Sequence, residues 1–263
     1  MIKFSKSPAT FYRICIEGNI GCGKTSILKR LAKEYGYFDY DEEVWRPRSD
    51  DLENVDLVIS PEPLNQWISV PPPASSSTSV NLLKRMYSNP KRWGFTFEHY
   101  SQFTRYNQIK SVYNEHCEKA TNDQNLKTMH ILERSIFSNR FCFVENFYKS
   151  GEIEQFEYQI LDEWFRQLIS KPESLVNKFI YLQTAPQTVY DRILNRARTE
   201  EEAIPLEYLL KIHNYHERLF NNFELNNWSN LHRPFPKVVL IDGNQPLEEV
   251  YRQVEKHIFS TII

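Results

Sequence analysis

Five short apolar runs punctuate the chain, at residues 12–17, 56–60, 128–132, 178–183 and 237–241. Each is bounded by turn or polar residues, and long stretches with apolar positions at helical spacing separate them. A short run with no polar alternation predicts a strand buried on both faces, the pattern of a parallel sheet. The fold class that follows is α/β, a five-stranded parallel sheet flanked by helices on both faces. Residues 93–120, 136–150 and 154–170 read as helices whose many aromatic side chains mostly serve the core. A shorter helix is expected at 80–87, lying over a pocket, and no internal repeat occurs.

Ligands of such sheets collect beyond the carboxyl ends of the strands. After the first run comes Gly18-Asn19-Ile20-Gly21-Cys22-Gly23-Lys24-Thr25-Ser26, which is G-x-x-x-x-G-K-T between a strand and a helix-forming run. This is the context of a phosphate-binding loop (P-loop), and three of the chain's seven glycines are spent on it. Glycines let successive backbone N–H groups turn toward phosphates, and the helix N-terminus adds partial positive charge. Lys24 would reach the β- and γ-phosphates, and the Thr25 hydroxyl would bind Mg²⁺.

Composition narrows the partners. A net charge of −2 over 263 residues offers no field for a polyanion, so a nucleic-acid polymer is not expected. A 41% hydrophobic and 25% charged balance is ordinary for a soluble domain, and no apolar run is long enough to span a membrane. Four cysteines, Cys15, Cys22, Cys117 and Cys142, lack metal-ligand spacing and suit a reducing compartment. A cytoplasmic location follows, with a mitochondrial one as the alternative because residues 1–13 carry Lys3, Lys6 and Arg13 with no acid and are weakly presequence-like. Residues 1–12 are expected to be a flexible terminus before one domain over 13–263. Within it, residues 36–56 read as an acidic, solvated surface insertion and 71–79 as a surface loop.

Three groups could carry chemistry. Glu62, between Pro61 and Pro63 after the second run, can accept a proton from an attacking hydroxyl; the alternative is a capping or surface carboxylate. After the third run, Glu133 can serve a Mg²⁺ shell and Arg134 can offer a planar fork to phosphoryl oxygens, or the two form a structural ion pair. Arg192, Arg196 and Arg198 precede an acidic loop and can close over a triphosphate as an arginine-rich lid at 192–204; otherwise they are a solvated helix end.

The stretches Ile16-Glu-Gly-Asn-Ile-Gly, Glu62-Pro-Leu-Asn-Gln-Trp67, Arg92-Trp-Gly-Phe-Thr-Phe97, Glu133-Arg-Ser-Ile-Phe-Ser138, Phe143-Val-Glu-Asn146 and Ile204-Pro-Leu-Glu-Tyr208 resemble the deoxyribonucleoside kinase family. The family includes deoxycytidine, deoxyguanosine and mitochondrial thymidine kinases and the insect-type multisubstrate kinase, and the last two are the nearest in pattern. The resemblance implies transfer of the γ-phosphoryl of ATP, or another triphosphate, to the 5′-hydroxyl of a deoxynucleoside, with Mg²⁺ at Thr25 and Glu133. It implies Glu62 as general base beside Arg134, with Tyr87 and Glu201 on the 3′-hydroxyl. The base would lie between Phe143 and Trp67, with Ile20, Leu83, Met86 and Phe97 lining the pocket. Arg192 would sit near the donor base, Arg196 and Arg198 on its phosphates, and residues from Asp242 on would help hold that base. A homodimer through the long helices is implied in the same way.

One departure bears on substrate choice. The family's base-reading glutamine falls at Glu98. Glutamine presents a donor and an acceptor, whereas an ionised glutamate has only acceptors and should favour the N–H edges of guanine or thymine. A raised pKa would restore a donor and blunt that preference. Ser101 and Arg105 are as in the deoxyguanosine and deoxycytidine kinases, and Asn139 stands where those have Asp and the thymidine-type enzymes Ala. The expectation is a site accepting more than one deoxynucleoside, with guanine or thymine favoured. Two rivals stay open: a nucleoside monophosphate kinase, and a catalytically silent kinase-like subunit.

Overall fold

The structure is a computed structural model that describes residues 11–47, 52, 55–71, 78–123, 125–196, 204–221 and 235–260. Its strands are β1 (Phe11–Glu17), β2 (Val55–Ser60), β3 (Lys127–Glu133), β4 (Lys178–Gln183) and β5 (Lys237–Asp242). Among the described residues the helices are α1 (Lys24–Glu34), α2 (Leu64–Ile68), α3 (Leu82–Ser88), α4 (Pro90–Ala120), α5 (Ile136–Ser138), α6 (Glu145–Lys149), α7 (Gln155–Ile169), α8 (Pro186–Arg196), α9 (Leu206–His216) and α10 (Leu247–Phe259). The strands pair in parallel in the order β2-β3-β1-β4-β5. The expected α/β parallel sheet is therefore present, with every run recovered to within a residue at each end.

Alternation along the strands explains why both faces are covered. Ile14 and Ile16 of β1 and Ile180 and Leu182 of β4 join the cluster formed with α1, α8 and α10. The intervening Cys15, Phe179 and Tyr181 join a second cluster with Phe137, Phe165 and Phe220. Successive strand side chains point to opposite faces, so a run apolar at every position must be sandwiched. A third cluster, built around Trp67, Leu83, Met86, Phe97 and Phe147, lies on α2, α3, α4 and α6 and forms an apolar lobe beside the strand ends.

Local chemistry sets the helix ends. Asn81 caps α3 by accepting from Lys84 N at 2.8 Å, and Val80, expected in that helix, instead bridges Val70. Helix α4 starts three residues earlier than its aromatic pattern, because Pro90 needs no N–H partner at the first position and Asn89 caps Arg92 N at 3.2 Å. The expected helix at 136–150 is interrupted by a π-helical turn at Asn139–Val144. The strand β1 begins at Phe11, so two residues expected in the flexible terminus belong to the sheet. The solvated reading of 36–56 also needs amendment: Trp45 is 1% exposed, bridges Ile59 and packs with Tyr37 and Tyr40.

Candidate active site

The loop after β1 turns through positive φ at Gly18 (146°), Gly21 (77°) and Gly23 (104°). At Gly18 a Cβ would also meet Cys22 Sγ at 2.6 Å and the Leu182 carbonyl at 2.9 Å, so backbone angle and space both demand glycine. No side chain caps α1, whose first N–H groups are left without intrahelical partners at the loop mouth. Lys24 Nζ is folded onto its own loop, donating to the carbonyls of Asn19 at 2.8 Å and Gly18 at 3.1 Å. Asn19 is pinned from outside, its Nδ2 donating to Leu209 O of α9 at 2.9 Å. This is a prearranged anion cradle with a lysine in reserve.

A charged cluster faces the loop. Glu62, a few residues after β2, accepts from Arg105 of α4 and lies 3.5 Å from Arg134 Nε. Burial alone would raise its carboxyl, but Arg105, Arg134 and Lys24 outweigh that and hold it at about 2. Arg134 is the one non-glycine residue among those described with positive φ, 63°, a strain held by its N–H on Ile16 O at 3.0 Å. Thr25 Oγ1 donates to Glu133 Oε1 at 2.8 Å, and Glu133 Oε2 accepts from Glu62 N at 3.4 Å. A hydroxyl beside a carboxylate is a hard-oxygen pair of the kind Mg²⁺ takes when phosphates and waters supply its other ligands. Among the described residues no group of three or more His, Cys, Asp or Glu could hold a metal by itself.

Loop and cluster open into one cavity of about 430 Å³. Trp67, Leu83, Met86, Tyr87, Phe97 and Phe143 line its apolar end. Trp67 is fixed by Nε1 donating to Thr104 Oγ1 at 2.9 Å and by the Phe97 ring, 5.4 Å away at 76°. The π turn presents Asn139 and Phe143 to the cavity, and the Arg134 guanidinium lies 4.6 Å from the Phe143 ring centre. Glu98 is 1% exposed and its Oε2 accepts from Asn139 Nδ2 at 2.6 Å. Burial pushes its carboxyl up to about 8, and the opposing pull of Arg105 and Asn139 does not cancel that.

At the opposite end Arg192 and Arg196 of α8 line the cavity with Ile20, Gly21, Cys22, Gly23, Lys24, Thr25 and Ser26. Arg192 donates to Cys22 O at 3.4 Å and Gly243 O at 3.1 Å, tying the phosphate loop to the turn after β5. Gly243, Gln245 and Leu247 line this end, but Asp242 does not: it is exposed and holds Asn244 N at 2.9 Å. Arg198 and Glu201 lie outside the described residues, as does most of the 192–204 lid beyond Arg196. Sequence reasoning overlooked Glu17, whose carboxylate accepts from Ser135 N at 2.8 Å, Tyr208 in the cavity wall, and His216 behind Arg134. A histidine on an apolar helical face carries no signal that separates it from core.

A family model described as deoxynucleoside kinase matches residues 14–262. Human mitochondrial thymidine kinase 2 is 33% identical over 204 residues, 78% of this chain and 62% of the relative's length. Mouse deoxycytidine kinase is 31% identical over 231 residues, 82% of this chain and 80% of the relative. The mitochondrial deoxyguanosine kinase of Xenopus laevis is 29% identical over 214 residues, 78% and 71% of the two chains.

Proposed function

The chain belongs to the deoxynucleoside kinase family, and from that premise we propose that it transfers the γ-phosphoryl group of ATP to the 5′-hydroxyl of deoxyribonucleosides. The observation that carries this is the meeting, in one cavity of about 430 Å³, of a phosphate loop, the ionised Glu62 and an apolar end lined by Trp67, Leu83, Met86, Phe97 and Phe143. The triphosphate would lie on the loop N–H groups, Lys24, Arg192 and Arg196, with Arg198 completing the lid. Mg²⁺, held by Thr25 and by Glu133 directly or through water, would neutralise charge on the transferring phosphate. The 5′-hydroxyl would donate to Glu62, with Arg134 beside it to receive charge developing on the phosphoryl oxygens.

A carboxylate held at about 2 is a weak base, and this shapes its part in the step. Phosphoryl transfer passes through a loose transition state that asks more of positioning than of base strength. Glu62 would aim the hydroxyl first. As the oxygen–phosphorus bond forms and the bond to the β-phosphate oxygen breaks, it would take the proton and release it to solvent with ADP and the deoxynucleoside monophosphate.

The sugar 3′-hydroxyl would rest on Tyr87 and Glu201, and the base between Phe143 and Trp67. Glu98, protonated near neutral pH, presents a donor and an acceptor as a glutamine would, so more than one base can be read. Guanine or thymine would be favoured as it ionises. A coupled ADP-release assay with the four deoxynucleosides tests the function: release with a nucleoside acceptor is expected. Release only with a monophosphate acceptor would favour a monophosphate kinase, and none at all a silent subunit.

A homodimer is the partner reading. Phe103 of α4 and Phe156, Ile160 and Trp164 of α7 are exposed, and the His99 ring lies 5.6 Å from Trp164, tilted at 40°, joining the two helices into one apolar face. A second copy meeting it about a two-fold axis would bury that face on itself. Trp164→Glu should shift the hydrodynamic mass from twice the chain mass to once, and an unchanged mass would reject this surface. No helix among the described residues is long and apolar enough to cross a membrane. The four cysteines are unpaired, which suits the cytoplasm or the mitochondrial matrix.

A further inference from the structure

Arg134 has a second holder that the proposed step does not use. His216, the last residue of α9, is fully buried. Its Nδ1 lies 2.8 Å from the Ile212 carbonyl, which can only accept, so Nδ1 carries the hydrogen. Nε2 then presents a lone pair, and Arg134 Nη1 lies 3.2 Å away. The ring is wedged parallel to Tyr181, 6.0 Å centre to centre at 13°, and edge-on to Phe143 at 6.1 Å and 89°. It therefore touches both the guanidinium beside Glu62 and the aromatic face on which a base would stack. Burial and the neighbouring Arg134 drive its pKa well below the ordinary range, so the lone pair persists at working pH.

We propose that His216 is a positioning residue: its Nε2 lone pair fixes the Arg134 guanidinium in the plane from which it meets the transferring phosphoryl group. The proposal rests on the kinase reading above. The need for such a holder is physical. A flexible side chain on a left-handed backbone has no rotamer imposed by its own helix or strand, and an arginine between Glu62 and a phosphate would otherwise swing with its counter-ion. A neutral acceptor fixes direction without adding charge. The same helix holds the phosphate loop through Leu209 O and lines the cavity with Tyr208. Helix α9 thus references the donor cradle and the arginine to one rigid element, the requirement for keeping reacting groups within a fraction of an ångström.

The test compares His216→Phe, which keeps a ring but loses the lone pair, with His216→Gln, which keeps an acceptor. His216→Phe should lower kcat by roughly tenfold to a hundredfold with the KM for ATP within about twofold, and His216→Gln should recover a large part. A purely structural role would lower melting temperature in both and leave kcat per folded molecule alike, which would overturn the proposal. Guanidinium ¹⁵N NMR gives a readout independent of turnover. Resolved, slowly rotating Nη signals of Arg134 are expected in the parent and His216→Gln proteins and averaged ones in His216→Phe; identical spectra in all three would also overturn it. If the parent releases no ADP with any deoxynucleoside, the kinase reading fails, and the NMR comparison still decides whether His216 fixes Arg134.

Discussion

Two buried arginines in this protein are each held by a neutral histidine, yet of the two only Arg134 lines the site cavity. Near the start of β1, Arg13 donates through Nε to His130 Nδ1 at 3.0 Å, and its other nitrogens go to the carbonyls of Glu173, Leu175 and Ile109. His130 Nδ1 must accept there, so Nε2 carries the hydrogen toward Ser60 Oγ at 2.8 Å. At the carboxyl ends of the strands Arg134 meets His216 with the opposite tautomer, and it adds a carboxylate in direct ion-pair contact, Glu62, and open space. Carbonyl dipoles satisfy a buried cation without inviting anything else. A guanidinium that shares its carboxylate with Arg105 and borders a cavity has charge left for an anion. Burial of charge is common to both sites, and the second is marked by what the charge is left facing.

The largest effect that would break this contrast is at Glu62. Glu62→Gln should cost about 10²- to 10⁴-fold in kcat while nucleoside affinity, read by titration calorimetry, stays within a few-fold. Equal loss of both would make the carboxylate a substrate anchor. At the other cluster Arg13→Met takes the side-chain donor from the carbonyls of Glu173 and Leu175 and from a buried histidine nitrogen. It should destabilise by roughly 3 kcal/mol or more in denaturant melts, with kcat per folded molecule unchanged. A stable but inactive variant would erase the distinction between the two sites.

The third prediction sharpens the comparison by setting two acids of one cavity against each other. Glu62, lowered to about 2 by its arginines, gives stability that is present above pH 4.5 and lost as pH falls through 2. Glu98, raised to about 8 by burial, does the reverse: its contribution is full below pH 4.5 and is lost as pH rises through 8. Ionisation of Glu98 removes its donor. The ratio of kcat/KM for guanine or thymine substrates to that for cytosine or adenine should therefore rise several-fold between pH 6.5 and 9.5, and Glu98→Gln should flatten that rise. A strong deoxycytidine preference persisting at the alkaline end would defeat this account of Glu98.

Much of the scaffold is legible in the sequence itself. The five strands, the phosphate loop and the long helices announce themselves through short apolar runs, glycines and helical spacing, all signals a few residues wide. Glu62, Glu133 and Arg134 could be nominated because strand ends are where α/β sheets place their ligands. The misses share a cause. Trp45 sits in an acidic stretch whose composition speaks for solvent, yet one indole found a slot beside Ile59. The π turn at Asn139–Val144 has no local marker, and Asp242 is itself the last residue of its strand and is taken up by Asn244, from whose N–H it accepts.

The amino-acid order by itself determined the elements, their sequence along the chain and the loop that must cradle an anion, because backbone angles and strand burial depend on near neighbours. Tertiary structure alone decided which charges meet. Glu62, Arg105 and Arg134 are brought together from three separate elements, and Glu98 holds its proton because distant side chains exclude water from it. Coulomb energy and desolvation sum over everything within a few ångströms, and that neighbourhood exists only after the sheet has assembled.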